Sequence, residues 1–373
     1  MNLRFLWRKN MLAGLGLVAL SMVLTPAHAL VFQWQENVLP VEDMRLLRVA
    51  ASSAHLIAIG RVGNSPDLDP IAATSTNGLD WQIVDIGLAG RFATDIIHGE
   101  DGFIVALDDG SLRIGDLDTG WNEVAPPADL RLQRTRLIEH QGRLLLFGSA
   151  ASDLRTSRII ALADFQTWST VFEQTDVTSG TGLSNPASIG SALALLFAPG
   201  PPSFPARHLG LSSDGSTWEL FESEFTSDTS SIATRQGSLF AVTRDAFDNA
   251  QPLHILRRGP ADLEWQQISH PEIIVEAAGP MRGGAPGLVL RATLNGQQAL
   301  LTSVDGSTWT RQGFTPTRHP VDFVAWRDAW VGVGETALRG QPQGSVAVPA
   351  LSTLALLLLA AGLAGLTAGR RLY

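Results

Sequence analysis

The chain has 373 residues, 45% of them hydrophobic and 17% charged, which excludes a disordered chain and leaves ample material for a core. Its formal net charge is −9 and Lys9 is its only lysine, so the body is a poor partner for nucleic acid and for anionic lipid. There is no cysteine, which excludes disulfides, thiolate nucleophiles, thiolate zinc sites and iron–sulfur clusters.

Residues 1–29 read as a secretory signal. Arg4, Arg8 and Lys9 make a positive start, Met11 to Leu24 is apolar and uncharged, and Ala27-His28-Ala29 is a small-residue cleavage site. Cleavage by a signal peptidase would leave Leu30 first; the alternative is an uncleaved membrane anchor.

Residues 30–340 form a repeat. Trp34, Trp81, Trp121, Trp168, Trp218, Trp265 and Trp309 recur 40 to 50 residues apart. That period, with four short β-runs per unit, marks a β-propeller. In the first unit Met44 to Ser52 is strand A, His55 to Arg61 is B, Ile71 to Ser75 is C, and Trp81 to Ile86 is D. The B strands recur as continuous apolar runs, from Leu56-Ile57-Ala58-Ile59 through Leu144-Leu145-Leu146-Phe147 to Trp330-Val331-Gly332-Val333. Such runs suit strands buried on both faces, and seven of them predict seven blades. After Thr336-Ala337-Leu338-Arg339 no D strand remains, whereas Phe32 to Val38 is a spare one at the start. It is expected to pair into the last blade and close the ring; six blades with a stray N-terminal strand is the alternative. The fold expected is all-β, a seven-bladed propeller closed by the N-terminal strand, with an N-terminal signal helix and a C-terminal transmembrane helix.

The turn before several tryptophans carries a motif. Ser212-Ser213-Asp214-Gly215-Ser216-Thr217-Trp218 and Ser303-Val304-Asp305-Gly306-Ser307-Thr308-Trp309 are the clearest copies, and Ser75-Thr76-Asn77-Gly78-Leu79-Asp80-Trp81 is a third. Asp-Gly or Asn-Gly makes a tight turn, the side chain caps backbone N–H groups, and the tryptophan packs over the hairpin. Asp116, Asp164 and Asp262 mark drifted copies. The motif resembles the Asp-box, or BNR repeat, of sialidase-like propellers, one residue shorter between Asp and Gly. Turn chemistry accounts for Asn77, Gly78, Trp81, Asp214, Gly215, Trp218, Asp305, Gly306 and Trp309 as structural residues.

Residues 341–347 read as a linker, with Pro342 between Gln341 and Gln343. The segment from 348 to 373 is a tail. Val346 to Ala368 is uncharged and long enough to span a bilayer, and Arg370 and Arg371 predict a cytoplasmic end. Val348-Pro349-Ala350-Leu351-Ser352 with the apolar stretch and basic end resembles a sorting signal of the IPTL-CTERM type: Pro349, Leu351 and Ser352 match in register and Val348 is conservative. Leu354-Ala355 departs from the family's Trp-Gly. The resemblance implies an exosortase-like membrane protease that removes the helix and passes the body to the cell surface. A plain single-pass anchor is the alternative.

Catalytic signals are sparse. The sialidase mechanism needs a tyrosine nucleophile, and the only tyrosine is Tyr373, outside the body. An ordinary glycosidase needs two facing carboxylates, for which the loops between strands B and C offer Asp67, Asp69, Asp245 and Asp248. Those loops and the D-to-A connections share the face opposite the Asp-Gly turns. His55, His98 and His140 fall in successive A-to-B turns, on separate blades, and do not make a metal site. No nucleophile elbow, phosphate loop or dinucleotide fingerprint is present, and no cofactor is implied. The stiff loop Pro199 to Pro205, which exposes Phe204, and the long connection Glu173 to Ser184 invite recognition. The sequence therefore points to an exported, surface-sorted, non-catalytic propeller that binds a glycan or a protein partner at the cell envelope or matrix. A secreted glycan-active hydrolase with a loop carboxylate pair and an envelope assembly scaffold are the alternatives.

Overall fold

The computed structural model describes residues 31–64, 67–175, 183–197, 208–221, 227–245, 250–259, 262, 264–313, 316, 318 and 320–343. They form seven four-stranded antiparallel sheets. Blade 1 is β2 (Arg45–Ala51), β3 (Leu56–Val62), β4 (Asp69–Ser75) and β5 (Gln82–Val84). Blade 2 is β6 (Ala93–Gly99), β7 (Gly102–Leu107), β8 (Leu112–Asp116) and β9 (Gly120–Val124). Blade 3 is β10 (Leu132–His140), β11 (Arg143–Ala150), β12 (Asp153–Ala163) and β13 (Thr167–Gln174). Blade 4 is β14 (Leu183–Ile189), β15 (Ala192–Phe197), β16 (His208–Ser212) and β17 (Glu219–Phe221). Blade 5 is β18 (Ser227–Arg235), β19 (Ser238–Asp245), β20 (Gln251–Arg258) and β21 (Gln266–Val275). Blade 6 is β22 (Ala277–Gly284), β23 (Gly287–Leu294), β24 (Gln297–Ser303) and β25 (Thr310–Arg311).

Blade 7 is built from both ends of the repeat. Its strands β26 (Pro320–Trp326), β27 (Ala329–Gly334) and β28 (Thr336–Pro342) are completed by β1 (Phe32–Val38), which pairs antiparallel with β28 from Phe32 opposite Pro342 to Val38 opposite Thr336. The N-terminal strand thus fills the outer place and removes an open sheet edge. Gln341 and Pro342, assigned to the linker on composition, belong to β28: Pro342 ends the strand, where its missing N–H breaks no ladder bond further on.

The first strands of successive blades touch one another all the way round, and β26 returns to β2. The second strands carry the core. Along β3, Leu56 and Ala58 pack toward blade 7 while Ile57 and Ile59 pack toward blade 2. Along β7, Phe103 and Val105 face blade 1 while Ile104 and Ala106 face blade 3. Alternate side chains therefore serve two different interfaces, and this is why the runs show no polar alternation. The hydrophobic core lies between blades, and no blade buries its own faces alone.

The recurring tryptophans stand at the outer strands, over the blade interfaces. Trp218 meets Phe197 edge-on with ring centroids 5.0 Å apart, and Trp34 lies against Gly340 of β28. Trp81, Trp309 and Trp34 are buried; Trp121, Trp168, Trp218 and Trp265 are half-buried.

Among the described residues no helix is long and apolar enough to cross a membrane. Residues 1–29 and 348–373, on which the signal and transmembrane helices were expected, lie outside the described residues.

Candidate functional site

The Asp-Gly turns are the first candidate, and their geometry makes them structural. In blade 4 the Ser212 hydroxyl accepts from Gly215 N (2.8 Å), and Asp214 Oδ1 accepts from Ser216 N (2.8 Å) and Thr217 N (2.9 Å). Blade 6 repeats this with Ser303, Asp305, Ser307 and Thr308, and blade 1 with Ser75, Asn77, Leu79 and Asp80. Trp218 Nε1 and Trp309 Nε1 each donate to the glycine carbonyl at 3.0 Å. The glycines hold φ near +80°, which explains why glycine stands there.

Each glycine is also tucked under the preceding blade. A Cβ on Gly78 would stand 2.7 Å from Val331 of blade 7, one on Gly215 would meet Leu145 of blade 3, and one on Gly306 would overlap the Phe240 ring of blade 5. Side-chain bonds accompany the fit: Arg143 donates to Asp214 O (3.1 Å) and Asn37 to Asp80 Oδ1 (2.9 Å). The carboxylates are consumed as acceptors. Backbone bonds from Thr217 and Ser216 hold the Asp214 carboxyl well below its usual range; burial pushes Asp305 upward, and the bonds from Ser307 and Thr308 outweigh it. In the drifted copies Asp262 accepts from Gly259 N (2.8 Å) and Asp116 from Asp118 N (3.3 Å), again local capping.

The loop aspartates do not assemble. Asp67 is an exposed loop residue, and Asp69 is not in a loop: it opens β4, exposed, opposite Val62. Asp245 likewise ends β19, opposite Ser227. Asp67 and Asp69 belong to blade 1 and Asp245 to blade 5, with blades 6 and 7 between them. Phe204 and Asp248 lie outside the described residues. Of the three histidines His55, His98 and His140, His55 lies between strands, whereas His98 and His140 sit at the ends of β6 and β10. His140 is buried, with Nδ1 2.8 Å from Ser188 Oγ of blade 4, and burial pushes its pKa down. Among the described residues no three His, Asp or Glu side chains are grouped to hold a metal ion.

The convergent polar groups are inside the ring. A cavity of about 480 Å³ is lined by all seven first strands. Every first strand has a bulge, and in blades 1, 2, 3 and 7 the residue just after it is charged: Arg48, Asp95, Arg136 and Asp322. Bulges re-aim side chains, and here they put a charged band around the channel. Arg48 Nε lies 3.7 Å from Asp95 Oδ1, and Arg282 of blade 6 lies 2.7 Å from Asp322 Oδ1.

The two aspartates also join blades. Asp95 Oδ2 accepts from Leu137 N of blade 3 (2.9 Å), and Asp322 Oδ2 from Val49 N of blade 1 (3.4 Å). Ser231 does the same for Met281 N of blade 6 at 2.8 Å. Arg136 donates Nη1 to Thr94 O at 2.5 Å, and burial lowers its pKa while Asp95 partly restores it. Sequence reading missed this band. Its signal is a charged residue in the first strand of a blade, eleven positions before its partner in the second strand: Arg48–Ile59, Asp95–Ala106, Arg136–Phe147 and Asp322–Val333.

The fold and this channel define a seven-bladed β-propeller. Solved structures agree on the class. The chain is similar to the WD40 β-propeller domain of Doa1, at a TM-score of 0.57 and 10% identity, over 84% of this chain and 98% of that one. It is similar to acylaminoacyl peptidase of Pyrococcus horikoshii, at a TM-score of 0.57 and 12% identity, over 82% of this chain and 53% of that one. The chain thus spans about half the length of the peptidase, and at such identities the likeness is one of fold. No protein-family model matches the chain, and no curated protein does.

Proposed function

We propose that this protein is an exported, non-catalytic binding propeller that takes a glycan or protein partner at the cell envelope. The observation that carries the reading is the channel band, where charged side chains on rigid strands converge on a cavity of about 480 Å³. That volume is in the range of small-molecule sites, and polar side chains converging on it from rigid strands are what fixes a bound ligand's orientation. The Asp-Gly turns, read as Asp-box-like turns one residue shorter between Asp and Gly, hold the blades in register and leave the faces free for recognition. Export through the signal at Ala27 and Ala29, and sorting through Val348, Pro349, Leu351, Ser352, Arg370 and Arg371 by an exosortase-like protease, fit an envelope role.

The test is thermal unfolding of the full-length protein in detergent against neutral and acidic envelope glycans and against envelope protein extracts fractionated by size. A saturable rise in melting temperature with one component, without turnover of it, is expected. No shift with any component, or consumption of the one that binds, overturns the reading. Fractionation of cells with and without the last 26 residues tests the address: the full chain is expected at the surface and the truncated one in the medium or periplasm.

A further inference from the structure

Around the channel the charges alternate over five consecutive blades. Arg282 stands on blade 6, Asp322 on blade 7, Arg48 on blade 1, Asp95 on blade 2 and Arg136 on blade 3. Each aspartate has an arginine on either side, and it is further held by a backbone N–H of the next blade. Both ends of the series are cationic. A ring of seven cannot alternate throughout, and here the break falls on blades 4 and 5. The lining residues those blades contribute are uncharged: Pro186, Ala187, Ser188, Ile232, Ala233 and Thr234. Pro186 offers no N–H to the channel, and the Ser231 hydroxyl oxygen accepts from Met281 N.

The two end arginines have donors to spare. Among the described residues, Arg136 is bonded through Nη1 alone, to the carbonyls of Thr94 and Thr135. Arg282 reaches Asp322 through Nη2 and the Met281 carbonyl through Nη1. Arg136 and Arg282 line the same cavity, with the uncharged wall of blades 4 and 5 between them. Two other ionisable groups line the cavity, His98 and Glu139. Glu139 is three residues beyond Arg136, about 10 Å along the strand. It lies over Gly99 of blade 2 and forms no ion pair with Arg136 among the described residues. It is therefore at the turn end of the channel, away from the band.

Resting on the binding role above, we infer that the channel is a carboxylate-binding site, in which Arg136 and Arg282 hold the anion on the side of blades 4 and 5. The ligand carboxylate takes the vacant sixth place of the alternation. Planar guanidinium forks suit a carboxylate, and removal from water strengthens the bond. Two sources share this chemistry: a uronic-acid unit of an acidic glycan and a small free organic acid.

The test is calorimetric titration of the full-length protein in detergent, at low salt, with glucuronate, its methyl ester, glucose, succinate and a galacturonate oligomer. Glucuronate is expected to bind at least tenfold more tightly than its methyl ester or glucose. Arg136→Gln and Arg282→Gln, checked for an unchanged melting midpoint, are each expected to weaken it at least tenfold. Tighter binding of the oligomer than of succinate assigns the source to a glycan, and the reverse order to a free acid. Equal binding of acid and ester, or no binding of any acid, overturns the inference, and this arm needs no variant to fold. A neutral glycan that stabilises both variants as it does the wild type overturns the inference while leaving the binding role intact.

Discussion

The Asp-Gly turns at the outer hairpins and the charged band inside the ring use the same residue type for different ends. Asp305 on the rim and Asp95 in the channel both accept backbone N–H bonds. Asp305 closes its own turn, three residues long. Asp95 accepts from another blade and keeps its second oxygen beside an arginine. The rim turn is complete in itself, whereas the channel is assembled across blades and has arginine donors left over. A carboxylate count would rank the two alike; the number of unspent partners separates them.

The comparison breaks most sharply at Gly306. Gly306→Val adds both a strained backbone at φ +79° and an overlap with Phe240. It is expected to cost about 2–5 kcal/mol, read as a fall in the urea midpoint. Gly120→Val serves as the control, since φ is +84° but nothing lies within 4 Å of its Cβ. It should lose distinctly less; equal losses would remove the inter-blade role of the turn.

Asp95→Ala strips the acceptor from Leu137 N in a buried interface and leaves Arg48 without its partner. A loss of about 2–3 kcal/mol is expected in chemical denaturation. Asp305→Ala, on the rim, is expected to lose about 1 kcal/mol, since water replaces part of what the carboxylate gives. If the rim variant proves the more damaging, the distinction between the two regions fails.

His140 sharpens the comparison by pH. Its pKa is lowered by burial, so the unfolded chain takes up the proton more readily than the folded one. Its contribution is therefore complete above the unfolded value, about 6.5, and lost as pH falls toward the folded value. A melting midpoint that declines below that pH, with the decline reduced in His140→Asn, is the expected result. The smallest effect belongs to the exposed network in which Arg91 and Arg113 share Glu123 at 2.9 and 2.8 Å. Glu123→Gln is expected to cost less than about 1 kcal/mol, and less still in high salt.

The architecture was legible because its marks are local. A tryptophan, an Asp-Gly turn and an apolar run lie within one hairpin, and their spacing repeats. Closure by β1 was legible from the missing outer strand after Arg339. The channel was not, for two reasons. Its charges lie on different blades, more than forty residues apart between Arg48, Asp95 and Arg136. Each also follows a bulge, which resets the inward–outward alternation, so strand periodicity cannot say which way the side chain points. The loop aspartates misled for the opposite cause: Asp67, Asp69 and Asp245 look alike in sequence, yet the ring separates blade 1 from blade 5.

The clasp in blade 7 also sets a schedule for folding. β1 is the first strand to be made, and its partner β28 is the last, with the whole ring between them. Until Thr336–Pro342 has emerged, β1 has no strand to pair with, Trp34 has no Gly340 to cover and the core between blades 1 and 7 lacks Ala337. Contacts this distant in sequence come late and slowly. A chain crossing a membrane in order from its N-terminus would carry that exposed edge until the final strand arrives, the interval in which a folding helper has most to protect.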